Sequence, residues 1–239
     1  MTSRPRFGEG RPDQGRPGSG RLPRLGEVTR AAAVDFYFNS WRLVPANALW
    51  GAGALGLLAV ASVWPLGALL LAPLLAFPTV GIFAIAATIA RGEPASFSDA
   101  VAVWRERAGA TLLAGIAFVL VVLVLGSNLV RGALSGAPPG WALATLAAWG
   151  LVATWLLALA GWPLLVDPRS QGRGLIAAVS LAGRLLLVFP GPLAALGAFA
   201  LAVVVLSTVL LPALLTISVS YLALVACRYL LPAADRIGE

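Results

Sequence analysis

Residues 43–90 contain no aspartate, glutamate, lysine, arginine or histidine. A helix needs roughly 20 apolar residues to cross a hydrocarbon core of about 30 Å. The run is too long for one crossing and long enough for two. Trp64-Pro65-Leu66-Gly67, near its middle, supplies the turn, because proline and glycine both interrupt a helix. The stretch reads as a transmembrane hairpin with spans over 46–63 and 67–90. A soluble domain faces water on all sides, and a chain that is 59% hydrophobic and 11% charged lacks the polar surface for that. The fold class expected is an all-α integral membrane protein, a helical bundle in the lipid bilayer.

Further spans are expected over 108–130, 141–166, 193–211 and 213–231. The last two share a second run without acids, lysine, arginine or histidine, residues 185–227, interrupted by Pro212. One long kinked helix there would give five spans instead of six. Arginine placement arbitrates, since basic residues collect on the cytoplasmic side of a membrane protein. With six spans both termini are cytoplasmic and only Arg131 falls outside; with five, Arg228 and Arg236 join it. Six is the better count, with the N-terminus cytoplasmic and the chain multi-pass in a cell membrane.

All the basic residues are arginine, and the net charge is +7. Eight of them precede the first span, so topology accounts for the charge and no nucleic acid is expected. Residues 1–30, rich in Arg, Gly and Pro, read as a disordered cytoplasmic tail, because they have too little apolar surface to offset the entropy of ordering. Residues 31–239 form the single transmembrane domain.

Two segments have helical amphipathic spacing outside the expected spans. In 31–44, Val34, Phe38 and Trp41 recur at i, i+4 and i+7, beside a polar stripe of Asp35, Asn39 and Arg42. In 97–107, Phe97, Val101 and Trp104 recur in the same way, after a Ser96-to-Asp99 capping spacing. Both read as helices lying in the membrane interface. The second, through Phe97, Val101, Trp104 and Arg105, offers a surface on which a partner can dock. Residues 175–189 make a third interfacial helix, from which Arg184 snorkels to water. The loop Asp167-Pro168-Arg169-Ser170-Gln171-Gly172-Arg173-Gly174 has the glycine and arginine of a phosphate cradle but not the GK[ST] ending of a P-loop, so an ordinary inner loop is the preferred reading.

Within the spans the polar and helix-bending residues stand out. Asn47 can hydrogen-bond to a neighbouring helix. Pro73 and Pro78 bend the second span, where Thr79 can re-satisfy a freed carbonyl, and Asn128 lies toward the outer end of the third. A faint echo links residues 74–79 with residues 211–216. The chain has no histidine, no lysine and one cysteine, Cys227. The commonest general base is thus missing, a Ser-Lys pair is impossible and no internal disulfide can form. No catalytic, cofactor-binding or metal site is read, and no enzyme is expected.

At Asn47-Ala48-Leu49-Trp50, at Pro78-Thr79-Val80-Gly81 and at the 97–107 helix, the chain resembles the YesL family of bacterial membrane proteins. The likeness covers about residues 35–230. It departs from the family in a longer apolar stretch between Trp50 and Pro78. The resemblance implies an accessory role beside ATP-driven carbohydrate importers, with importer subunits as partners, and carries over no functional residue. A self-contained carrier for a neutral solute is the alternative. A proton-coupled one is disfavoured, because such carriers need an ionisable group inside the bilayer.

Overall fold

The computed structural model describes residues 23–238, apart from Gln171, Leu211 and Pro212. Its elements in chain order are α1 (Leu25–Val63), α2 (Pro65–Leu71), a 3₁₀ turn (Ala72–Leu75), α3 (Ala76–Ala90), α4 (Phe97–Glu106), α5 (Ala108–Leu134), α6 (Pro138–Val166), a 3₁₀ turn (Pro168–Ser170), α7 (Leu175–Val188), α8 (Pro190–Val209), a π turn (Leu214–Ser218) and α9 (Val219–Gly238). Six helices or near-continuous helix pairs are long and apolar enough to cross a membrane: Leu25–Val63, Pro65–Ala90, Ala108–Leu134, Pro138–Val166, Pro190–Val209 and Thr216–Ile237. The chain is an all-α, multi-pass membrane bundle, with separate fifth and sixth spans.

The chain turns where its sequence says it must. Trp64 ends α1 with non-helical dihedrals and Pro65 opens α2, a place where its missing N–H is no loss. Pro73 lies in the 3₁₀ turn and Pro78 in the first turn of α3, so the second span is stepped by a tighter helix rather than broken. The π turn before α9 is the counterpart step in the last span. The two irregular turns fall at or beside the stretches that echo one another in sequence, although Leu211 and Pro212 lie outside the described residues.

The core gathers on α3 and α9. Val80, Ile82, Ile85, Ala86 and Ala87 of α3 and Ala223, Leu224, Val225, Ala226 and Cys227 of α9 are fully shielded. Around this pair stand α1 and the α5–α6 hairpin. In α5 and the first half of α6 most large apolar side chains face outward, as a lipid-facing surface requires. At one end of the bundle Arg91 is hydrogen-bonded to Asp167 and Asp235, and Arg107 to the Arg173 carbonyl. Arg131, in the last turn of α5, belongs to the other end.

Two expectations need correction. Residues 31–44 are not a separate interfacial helix, since α1 runs unbroken from Leu25 through Pro45 to Val63. It also begins inside the stretch read as a tail; Val28 and Ala32 are buried, and residues 1–22 lie outside the described residues. Proline bends a helix in the turn before it without having to end it when neighbouring elements hold both sides. Here they do. Thr29 and Leu43 would stand about 21 Å apart on a straight helix, yet their carbonyls accept hydrogen bonds from the adjacent residues Tyr221 and Ser220. The second correction concerns the faces of this segment. Its polar stripe turns inward, Asp35 pairing with Arg228, while Tyr37, Phe38 and Trp41 are exposed.

Close approach of α5 to the 3₁₀ step depends on Gly115, where an added Cβ would lie 2.6 Å from the Pro73 carbonyl oxygen. Gly115→Ala is expected to lower stability by about 1–3 kcal/mol. Gly109→Ala, on the same helix with open space around it, is expected to leave the melting temperature in detergent unchanged or raise it.

Candidate functional site

Asn47 and Thr79, singled out within the spans, are engaged with backbone. Asn47 is fully buried, and its Oδ1 accepts the Ser220 N–H at 2.8 Å. Ser220 Oγ in turn donates to the Leu43 carbonyl at 3.0 Å. Both contacts lie where the π turn hands over to α9, and such a turn shifts the regular hydrogen-bond ladder. Asn47 therefore serves an amide at the helix step. Ser207 and Ser218 bond to each other at 2.5 Å, and Ser218 Oγ also donates to Ala213 O at 3.0 Å. On the other step, Thr79 Oγ1 donates to Leu75 O at 2.7 Å and accepts the Trp50 indole N–H at 3.1 Å. Pro78, part-buried, immediately precedes it.

Between these two steps is a cavity of about 420 Å³, bordered by Trp50, Thr79, Phe83, Trp155, Trp162 and Leu222 among others. Its size falls in the range of small-molecule sites, about 300–1,000 Å³, and its wall is almost wholly apolar. The Trp50 and Trp155 indoles give their N–H groups to Thr79 and to Gly197 O, so neither is left to orient a polar guest. Asn128 is not part of this chamber. It lies thirteen residues beyond Gly115 on α5, about 20 Å further along the helix.

Of the four α4 residues read from the sequence as a candidate docking surface, the structure separates one from the rest. Ser96 caps the helix, its N–H bonding to Asp99 Oδ2 at 2.7 Å. Trp104 turns inward, donating its indole N–H to Phe77 O at 2.6 Å and closing on Gly81. Phe97, Val101 and Arg105 are exposed, with Phe97 meeting the edge of Trp104 in a T-shaped contact at 6.5 Å.

The largest charged feature was not singled out in the sequence. Arg91 reaches Asp167 through Nε at 3.0 Å and Nη2 at 2.7 Å, and reaches Asp235 through Nη1 at 2.6 Å and Nη2 at 2.9 Å. One guanidinium thus binds two carboxylates in forked geometry and joins the ends of α3, α6 and α9. The side chains of Arg91 and Asp167 are 5% and 2% exposed, that of Asp235 43%. The hydrogen bonds to Asp235, then those to Asp167, raise the Arg91 pKa above its ordinary value against the opposing effect of burial. A cation whose pKa is raised by folding adds stability at every pH below its unfolded value, which for arginine covers the whole working range. Each of the three is the first charge after or near the end of an apolar run, the one trace they leave in the sequence. No family model, curated protein or solved structure matches the chain.

Breaking the buried pair strands a charge. Asp167→Asn is expected to cost about 3–5 kcal/mol, read as a lower melting temperature in detergent. Asp235→Asn, at the exposed arm, is expected to cost at most about 1 kcal/mol. Asn47→Leu leaves the Ser220 amide without its acceptor and is expected to cost about 1–3 kcal/mol by the same measurement.

Proposed function

We propose that this multi-pass protein is an accessory or regulatory component of a membrane transport system such as an ATP-driven carbohydrate importer. The observation that supports this reading is the division of labour on α4. Trp104 holds the helix to α3, which leaves Phe97, Val101 and Arg105 together on the outward face. An exposed aromatic and aliphatic pair beside an arginine is the kind of patch that anchors a partner. The likeness to YesL proteins supplies the type of partner. In this reading the chain sits in a bacterial plasma membrane with its N-terminus cytoplasmic, and catalyses no reaction. Asp167 and Asp235 are committed to Arg91, which fits a structural use of the acids at that end of the bundle.

A second reading, a carrier for a neutral solute, draws on the tryptophan-lined cavity and on the stepped helices beside it. The two separate in one experiment. Affinity purification of the full chain in mild detergent is expected to recover importer subunits in stoichiometric amount. Val101→Asp with Arg105→Glu is expected to reduce that recovery at least tenfold while leaving the melting temperature within a few degrees. Recovery of the protein alone, with solute flux into liposomes, would favour the carrier.

A further inference from the structure

The chamber between the two helix steps takes its wall from every span. Trp50, Thr79, Gly115, Trp155, Val204 and Leu222 each come from a different one of the six membrane-crossing helices. The space of about 420 Å³ therefore lies inside the bundle, within the length of its apolar helices. Short side chains at Ala72, Ala76 and Ala158 leave it unfilled. Protein interiors hold few voids larger than a water molecule, and one of this size left empty deprives every surrounding side chain of packing partners. The chamber calls for an occupant.

Water does not answer that demand, because a buried water takes about two to four polar partners. The polar side chains of the wall are Thr79 and the indoles of Trp50, Trp155 and Trp162. Thr79 is bonded to Leu75 O and to the Trp50 N–H, and the Trp155 N–H to Gly197 O. That leaves the Trp162 N–H, and one donor holds neither a group of waters nor a solute with several hydroxyls. A hydrocarbon needs no such partners. At about 30 Å³ for each water-sized group, the space takes roughly a dozen methylenes.

The apolar space also continues beyond the chamber. A second cavity, of about 240 Å³, shares Phe118, Ala158 and Trp162 with it and extends to Leu175 and Val179 at the start of α7. The one hydroxyl on its wall, that of Thr154, is given to the Gly150 carbonyl. Such a pair of spaces suits a guest that is long, flexible and without polar groups along its length.

We propose that the chamber binds the hydrocarbon chain of a lipid. This goes beyond the accessory reading and does not depend on it, and it gives the chamber a guest other than a hydroxyl-bearing solute. The chain comes from a bilayer phospholipid or from a free fatty acid.

The test uses the full chain in phosphatidylcholine liposomes. One preparation contains a small fraction of phosphatidylcholine with a photoactivated diazirine on one acyl chain, and another contains a fatty acid with the same group. Labelled residues are read by mass spectrometry after illumination. Phe83, Leu159 and Leu222 belong to the chamber wall and are buried, whereas Leu120 and Val124 are exposed and lie outside it. Labelling of the three buried residues is expected to reach at least a tenth of that at Leu120 and Val124. Labelling by the phospholipid probe assigns a bilayer lipid, labelling by the fatty acid alone assigns a free chain, and labelling by both supports a site open to either. Labelling confined to exposed residues overturns the proposal. Val204→Trp, which fills the chamber from its wall, is expected to cut labelling of the buried residues at least fivefold and to leave Leu120 and Val124 unchanged. Buried labelling that survives this variant overturns the proposal. Should Val204→Trp fail to fold, Val119→Phe on the same wall decides: at least a threefold reduction is expected, and unchanged labelling overturns the proposal.

Discussion

In hydrocarbon a backbone amide or carbonyl that leaves its helix has no water to turn to. That constraint explains most of the polar side chains inside this bundle. The two irregular turns, one of 3₁₀ type before α3 and one of π type before α9, are where the ladder is disturbed. They are also where Thr79, Ser218, Ser220 and Asn47 spend their hydrogen bonds. Polarity within the membrane is here a repair of main-chain irregularity. The irregularity in turn makes room for the chamber between the steps.

At the charged end the governing term is different. Removing a carboxylate and a guanidinium from water costs several kcal/mol for each, and only close, forked geometry offsets it. Arg91 meets that demand by using two acids, one deep and one near the surface. Asp167 has further work: its oxygens also accept from the Arg169 amide and the Ser170 hydroxyl, both at 3.3 Å, so the same carboxylate that anchors α3 shapes the loop leading to α7. The helix ends and the loop are therefore set by one residue.

Much of the fold was legible because hydropathy is a one-dimensional signal. The charge-free runs marked six spans, the prolines marked the steps, and Ser96 with Asp99 marked the start of α4. What failed to show were properties that depend on how helices lie against one another. The stripe of Asp35, Asn39 and Arg42 has the same spacing whether it faces water or a neighbouring helix, and only Arg228, far along the chain, decides for the neighbour. Pro45 looked like a boundary because local propensity cannot register the packing on either side of it. The Arg91 cluster was hidden for a related reason: its members stand 76 and 144 positions apart, and each alone resembles the ordinary polar end of a span. On α4, periodicity placed Phe97, Val101 and Trp104 on one face but could not show that Trp104 was already used.

The bond from Trp104 to Phe77 O has a mechanical consequence. Phe77 lies two residues before Thr79, in the turn where α3 emerges from its 3₁₀ step. Thr79 in turn holds the Trp50 indole at the chamber wall. The rigid indole of Trp104 thus works as a short lever arm. Whatever tilts α4 from outside pulls on the backbone that positions Thr79, and the pull passes to Trp50 through a single hydroxyl. Helix α4 and the tryptophan-lined chamber are therefore only two side chains apart.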